Sequence, residues 1–182
     1  MREEYEVDIA WSAFPLHPET PLEGRSLEEL FKGRGLDVPK LLADLKRRAD
    51  DLGLPFGRRE KTFNSRLAQE MGKYAESLGL GNAFHDTVFR TYFADGKNIA
   101  EPATLVEVGT SVGMPQAGIR DVLETRAFRE AVDSDWARSR ALGITAVPTF
   151  MINDQVLVGA QPYRNLVMFM EYHRIKRRHE TM

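Results

Sequence analysis

Cysteine is absent from all 182 residues. Disulfides, thiolate metal sites and cysteine nucleophiles are therefore excluded, and these residues alone cannot carry out thiol chemistry. Charge of one sign is also lacking. Lys and Arg number 25 against 27 Asp and Glu, a net charge of -2, which gives no general electrostatic drive toward nucleic acid or an anionic membrane. No window approaches the roughly 18 consecutive apolar residues that a membrane span requires, and the opening Met1 to Tyr5 has no apolar stretch of signal-peptide length. The expectation is a cytoplasmic protein with no nucleic-acid and no membrane partner. Histidine is sparse, and His17, His85, His173 and His179 are too far apart for His-x-x-x-His or His-Glu-x-x-His spacing, so no metal site is expected. A phosphate-binding glycine loop, a nucleophile elbow and a kinase signature are all missing.

What is present suits a packed core. The apolar fraction of 42% and charged fraction of 29% are ordinary for a globular chain, and the length fits one domain carrying an insertion. Glu6 to Trp11 alternates, with Val7, Ile9 and Trp11 on one face, as a half-buried strand does. Phe14-Pro15-Leu16-His17-Pro18 then enforces extended geometry, because residues before proline are pushed out of the helical region. Ser26 with Glu29 matches a capping box for a short helix from Leu27 to about Gly33 or Gly35.

Apolar residues at three- and four-residue spacing predict a helix from Pro39 to Leu52 and another through Leu67, Met71, Tyr74 and Leu78. Asn82 can cap a further helix that carries Phe84, Val88, Phe89, Tyr92 and Phe93, a stripe better suited to core packing than to a ligand cage. Prolines open two shorter helices, Pro102 to Val112 and Pro115 to Glu124, and a longer one runs from Phe128 to Leu142. Gly109 and Gly113, four apart, suggest a close helix contact. The run Val147 to Ile152, the turn pair Asn153-Asp154, and Val156 to Val158 read as a β-hairpin. A last helix from Tyr163 to Arg178 turns Leu166, Phe169 and Met170 inward and ends in basic residues suited to a helix C-terminus. One strand, a run of helices, then a hairpin and a helix does not make a doubly wound sheet, which needs strands recurring between helices. The pattern is a small sheet interrupted by a helical insertion.

Leu142-Gly143-Ile144-Thr145-Ala146-Val147-Pro148-Thr149-Phe150-Met151-Ile152 resembles the helix, loop and cis-proline strand of DsbA-like thioredoxin domains. Phe14 to Pro18, Phe89 to Phe93 and Gly159-Ala160-Gln161-Pro162 are similar to the FrnE branch of that family, and the likeness covers Glu6 to Glu171. The resemblance implies an α/β thioredoxin-like fold, with thioredoxin-like parts at 1-18 and 128-182 and a helical insertion at about 26-125. It also implies that the first strand-helix unit, which carries a Cys-x-x-Cys pair in the family, is missing here.

The family activity is thiol-disulfide exchange, which needs an attacking thiolate and a second cysteine to resolve the mixed disulfide. With no cysteine, this chain is expected to be redox-inactive alone. From the tripeptide by itself Val147-Pro148 would be trans, since cis accounts for about 5% of X-Pro bonds; the resemblance implies cis. The same resemblance nominates Val147, Pro148, Thr149, His17, Phe14 and Gln161 as substrate-binding residues, approaching one another with Trp11 around the vacated site. The implied partner is an extended peptide or a small thiol or disulfide. No cofactor is expected, unless the chain is similar instead to the 2-hydroxychromene-2-carboxylate isomerase and kappa glutathione transferase group, which binds glutathione. A third possibility is a non-catalytic module that binds peptide or forms a homodimer through its incomplete sheet.

Overall fold

The computed structural model describes residues 1–178, so His179 lies outside the described residues. In chain order the elements are β1 (Arg25–Ser26), α1 (Leu27–Leu30), α2 (Val38–Asp51), β2 (Lys61–Thr62), α3 (Arg66–Ser77) and α4 (Gly81–Phe93). They continue with α5 (Pro102–Ser111), α6 (Gln116–Thr125), α7 (Arg129–Ala141), β3 (Thr149–Ile152), β4 (Gln155–Val158) and α8 (Tyr163–Tyr172). The chain divides into two units. One joins Met1–Phe14 to the chain from Asp135 onward; the other is Pro15–Ser134. The division falls within α7.

The Pro15–Ser134 unit is a helical body whose core lies among α3, α4, α5 and α6. Met71, Ala75, Phe84, Leu105 and Ile119 are completely buried there, and full burial of a side chain the size of Leu, Ile or Phe contributes about 1.5–3 kcal/mol. These are the residues that the three- and four-residue spacing brings to one face of each helix. Gly109 and Gly113 serve two separate purposes. A Cβ on Gly109 would come within 2.7 Å of Ile119 Cδ1, so its missing side chain lets α5 and α6 close together, whereas Gly113 faces open space and supplies a left-handed turn at φ 88°.

Glu70, on α3, is buried in the same unit, and it is the main polar feature of the helical body. Arg126 donates to it twice, Nε to Oε2 at 2.6 Å and Nη2 to Oε1 at 2.8 Å, and Arg66 Nε donates to Oε1 at 2.6 Å. Arg66 also reaches Asp133 Oδ1 at 2.7 Å and the Arg129 carbonyl at 2.9 Å. Both carboxylate oxygens thus accept from a guanidinium, as a buried charge requires.

The Ser26 capping box is formed in full: Glu29 N–H donates to Ser26 Oγ, and Ser26 N–H to the Glu29 carboxylate. Its helix is shorter than expected and stops at Leu30. A two-residue antiparallel ladder, Arg25 opposite Thr62 and Ser26 opposite Lys61, holds the start of α1 against the segment after α2. That ladder had no alternating pattern to announce it.

Three expectations are corrected. Glu6 to Trp11 is not a strand. Only Tyr5 forms a bridge, with Arg177, and Ile9 and Trp11 are exposed; alternation alone does not make a strand, because the ladder needs a neighbour. Asn82 is not the cap of α4, whose N-cap is Leu80. α8 ends at Tyr172 rather than Arg178, since Arg174 adopts a left-handed φ of 54°. The basic residues therefore do not sit on a helix end. Lys176 and Arg178 instead exchange backbone hydrogen bonds with Glu6 and Glu4, at 2.8 Å each.

Candidate functional site: the cis-proline hairpin

The unit built from Met1–Phe14 and the chain beyond Asp135 contains the hairpin. β3 and β4 pair antiparallel, Thr149 opposite Val158 through Ile152 opposite Gln155, and Asn153 takes the left-handed φ of 56° that a tight turn requires. The two strands form a sheet of their own, so among the described residues the outer edge of β3 has no strand beside it. The Val147–Pro148 peptide bond is cis.

The corner around Pro148 is closed by short hydrogen bonds. Gly159 N–H donates to the Pro148 carbonyl at 2.7 Å, and Thr149 Oγ1 donates to the Ala146 carbonyl at 2.6 Å. Gly159 has φ 90°, a conformation that costs glycine little. Gln161 Nε2 donates to the Val158 carbonyl at 2.6 Å, and Asn165 Nδ2 donates to Gln161 Oε1 at 2.8 Å. Pro148, Thr149 and Gln161 therefore belong to one hydrogen-bonded corner, linked through Val158 and Gly159. Asn165, which holds this corner, was not singled out from sequence, whereas Gly159 entered as part of the Gly159-Ala160-Gln161-Pro162 stretch. The Gln161/Asn165 spacing of four residues at a helix start was the signal available.

Apolar side chains around the corner stay open. Val147, Phe150, Val156 and Val158 are all 38–48% exposed. Phe14 lies in the same unit and is half-buried, next to Ala13, whose N–H donates to Asp135 Oδ2 at 2.8 Å. His17 belongs to the helical unit. Its backbone is left-handed, its carbonyl accepts from Thr20 N–H at 3.0 Å, and Nδ1 lies 3.7 Å from Glu19 Oε1.

The other described histidines pack against neighbouring side chains. Burial lowers the pKa of His85, with Glu76 Oε1 3.4 Å from Nε2 pulling the opposite way. His173 packs edge-on against Phe169 and Tyr172, at ring separations of 4.8 and 5.2 Å. Among the described residues no cluster of three His, Cys, Asp or Glu could hold a metal, and no helix is long and apolar enough to cross a membrane.

Comparison with known proteins identifies the family and the fold. Residues 1–171 match the family described as DSBA-like thioredoxin domain. A curated relative, the uncharacterised protein YwbO of Bacillus subtilis, is 33% identical over 98 residues, which are 52% of this chain and 48% of the relative. The match thus spans about half the length of that protein. Among solved structures, a probable DsbA oxidoreductase of Streptomyces coelicolor superposes with a TM-score of 0.78 at 23% identity, covering 85% of this chain and 70% of that one. The cytosolic disulfide reductase DsbM of Pseudomonas aeruginosa, solved with GSH, gives 0.56 at 26% identity, covering 76% and 77%. A 2-hydroxychromene-2-carboxylate isomerase gives 0.62 at 22%, covering 75% and 65%. The chain belongs to the DSBA-like thioredoxin family, and its fold is the DsbA-like one with a helical insertion.

Proposed function

We propose that this thiol-free member of the DSBA-like thioredoxin family is a binding module, which takes an extended peptide at the cis-proline hairpin without exchanging disulfides itself. The observation that carries the proposal is the open outer edge of Thr149–Ile152 beside Val147 and Pro148. A free edge offers N–H and C=O groups to an incoming strand, and exposed apolar side chains next to it supply contact area. Val147, Phe150 and Val158 are such side chains.

Exchange chemistry would need a thiolate to attack and a second thiol to resolve, and the 182 residues contain neither. Phe14 and Gln161, which lie in the same unit as the hairpin, complete the proposed binding set. We also infer a cytoplasmic setting, the compartment named for DsbM. The test is an insulin-reduction assay with dithiothreitol, paired with glutathione calorimetry. The proposal predicts no rate above the reagent blank and no glutathione heat. Turnover above the blank would contradict it, and glutathione binding would shift weight to the isomerase-like alternative, to which the 0.62 structural likeness lends support.

A further inference from the structure

Helix α2 has no fully buried residue, although its sequence is strongly amphipathic. On a helical wheel of 100° per residue, Val38, Leu41, Leu45, Ala49 and Leu52 fall within one stripe. In the helical unit this stripe is only half covered, and Leu45 and Leu52 are 37% and 73% exposed. Just outside the helix, Leu36 and Leu54 are 50% and 52% exposed. Five apolar positions thus share one face of the helix and two more flank it, and among the described residues nothing buries them completely.

Leu42 borders the stripe and has Arg48 as its mate; the other positions form a palindrome about Leu45. Leu41 and Ala49 lie four residues to either side, Val38 and Leu52 seven, and Leu36 and Leu54 nine. A two-fold axis through Leu45 carries each member of a pair onto the other, which is the condition for a self-complementary interface between antiparallel copies. We propose that α2 is the interface of a homodimer in which two copies of the helix pack antiparallel about Leu45.

The charges beside the stripe fit the same arrangement. In an antiparallel pair, like flanks of the two helices face each other. One flank carries Asp44 and Arg48, so Asp44 of each copy lies on the same flank as Arg48 of the other, offset by about 3 Å along the axis and within side-chain reach. Asp44 accepts from Arg47 at 2.9 Å within its own chain and has oxygen valence to spare, whereas Arg48 has no ion-pair partner among the described residues. The other flank is already neutral within the chain, because Lys46 Nζ sits 2.9 Å from Asp50. Antiparallel packing also opposes the two helix dipoles. With 14 residues and a length of about 21 Å, α2 forms an interface at the small end of the specific range, so association belongs at micromolar concentration.

Sedimentation velocity from about 1 to 200 μM, on that reasoning, should show a monomer–dimer equilibrium. Leu45→Glu should weaken association at least tenfold while leaving the far-ultraviolet dichroism unchanged, because Leu45 is exposed in the monomer. Asp44→Arg and Arg48→Asp should each weaken it several-fold, and combining the two should restore it. The lack of native cysteine gives a clean test of direction. Leu45→Cys should form a covalent dimer under mild oxidation, Leu41→Cys alone should not, and Leu41→Cys mixed with Ala49→Cys should. A monomer at every concentration, a dimer indifferent to Leu45→Glu, or efficient self-crosslinking of Leu41→Cys would each overturn the proposal.

Discussion

Glu70 shows what a single residue can hide from sequence inspection. Burial by itself would raise the pKa of this carboxyl, but hydrogen bonds and charge from Arg126 and Arg66 outweigh burial and hold it below the ordinary carboxylate value of 4.5. A depressed folded-state pKa contributes stability that is complete above the unfolded value and is lost as pH falls through the folded one. Thermal midpoints should therefore hold from neutral pH to about 5 and fall below about 4.5. Glu70→Gln should cost about 1.5–3 kcal/mol in urea unfolding at pH 7, since it leaves Arg126 without its carboxylate and Arg66 with Asp133 alone, and should flatten the acid limb. A variant as stable as the native chain would show that the network contributes nothing net. In sequence Glu70 is one more glutamate four residues from an arginine, a spacing that usually marks an exposed pair. Arg126, its strongest partner, is 56 positions away, and no local pattern can announce it.

At the scale of elements, periodicity was informative where a helix packs and uninformative where a strand needs a partner. α3, α5 and α6 formed close to the spans that spacing and proline positions suggest, because each has one face that the helical body buries. Glu6 to Trp11 alternates as well as any strand but has no ladder, and the last helix broke at Tyr172 because Arg174 turned left-handed. The contrast between packed and open apolar side chains can be measured. Leu105 is completely buried and Met168 is 64% exposed, so Leu105→Ala should destabilise by about 2–5 kcal/mol and Met168→Ala by less than about 0.5, both from urea midpoints. Equal costs would mean that Met168 is covered in solution.

For the molecule as a whole, the helical unit holds nearly all the buried apolar side chains, and among the described residues of the hairpin unit Tyr5 alone of the large apolar ones is completely buried. Local opening free energy follows apolar burial. In native-state hydrogen exchange, amides of α3 to α6 should be the last to exchange and those of β3 and β4 should exchange at least tenfold faster; the reverse order would contradict this distribution of stability. Family membership was legible in the sequence because Val147-Pro148-Thr149-Phe150 and the residues around Gln161 lie together on a local corner. The placement of Phe14 and His17 in different units was not, since Phe14 to Pro18 is continuous in sequence and the division falls inside it.

The central claim is that the hairpin edge binds extended peptide while the chain performs no exchange. Titrating the isotope-labelled protein with an extended peptide containing one intact disulfide, followed by NMR, tests both halves together. The account predicts saturable shift changes centred on the amides of Val147 and Thr149 to Ile152, with the peptide disulfide still oxidised after hours beside a protein-free control. No perturbation of those amides at millimolar peptide, or reduction of the disulfide faster than in the control, would contradict it.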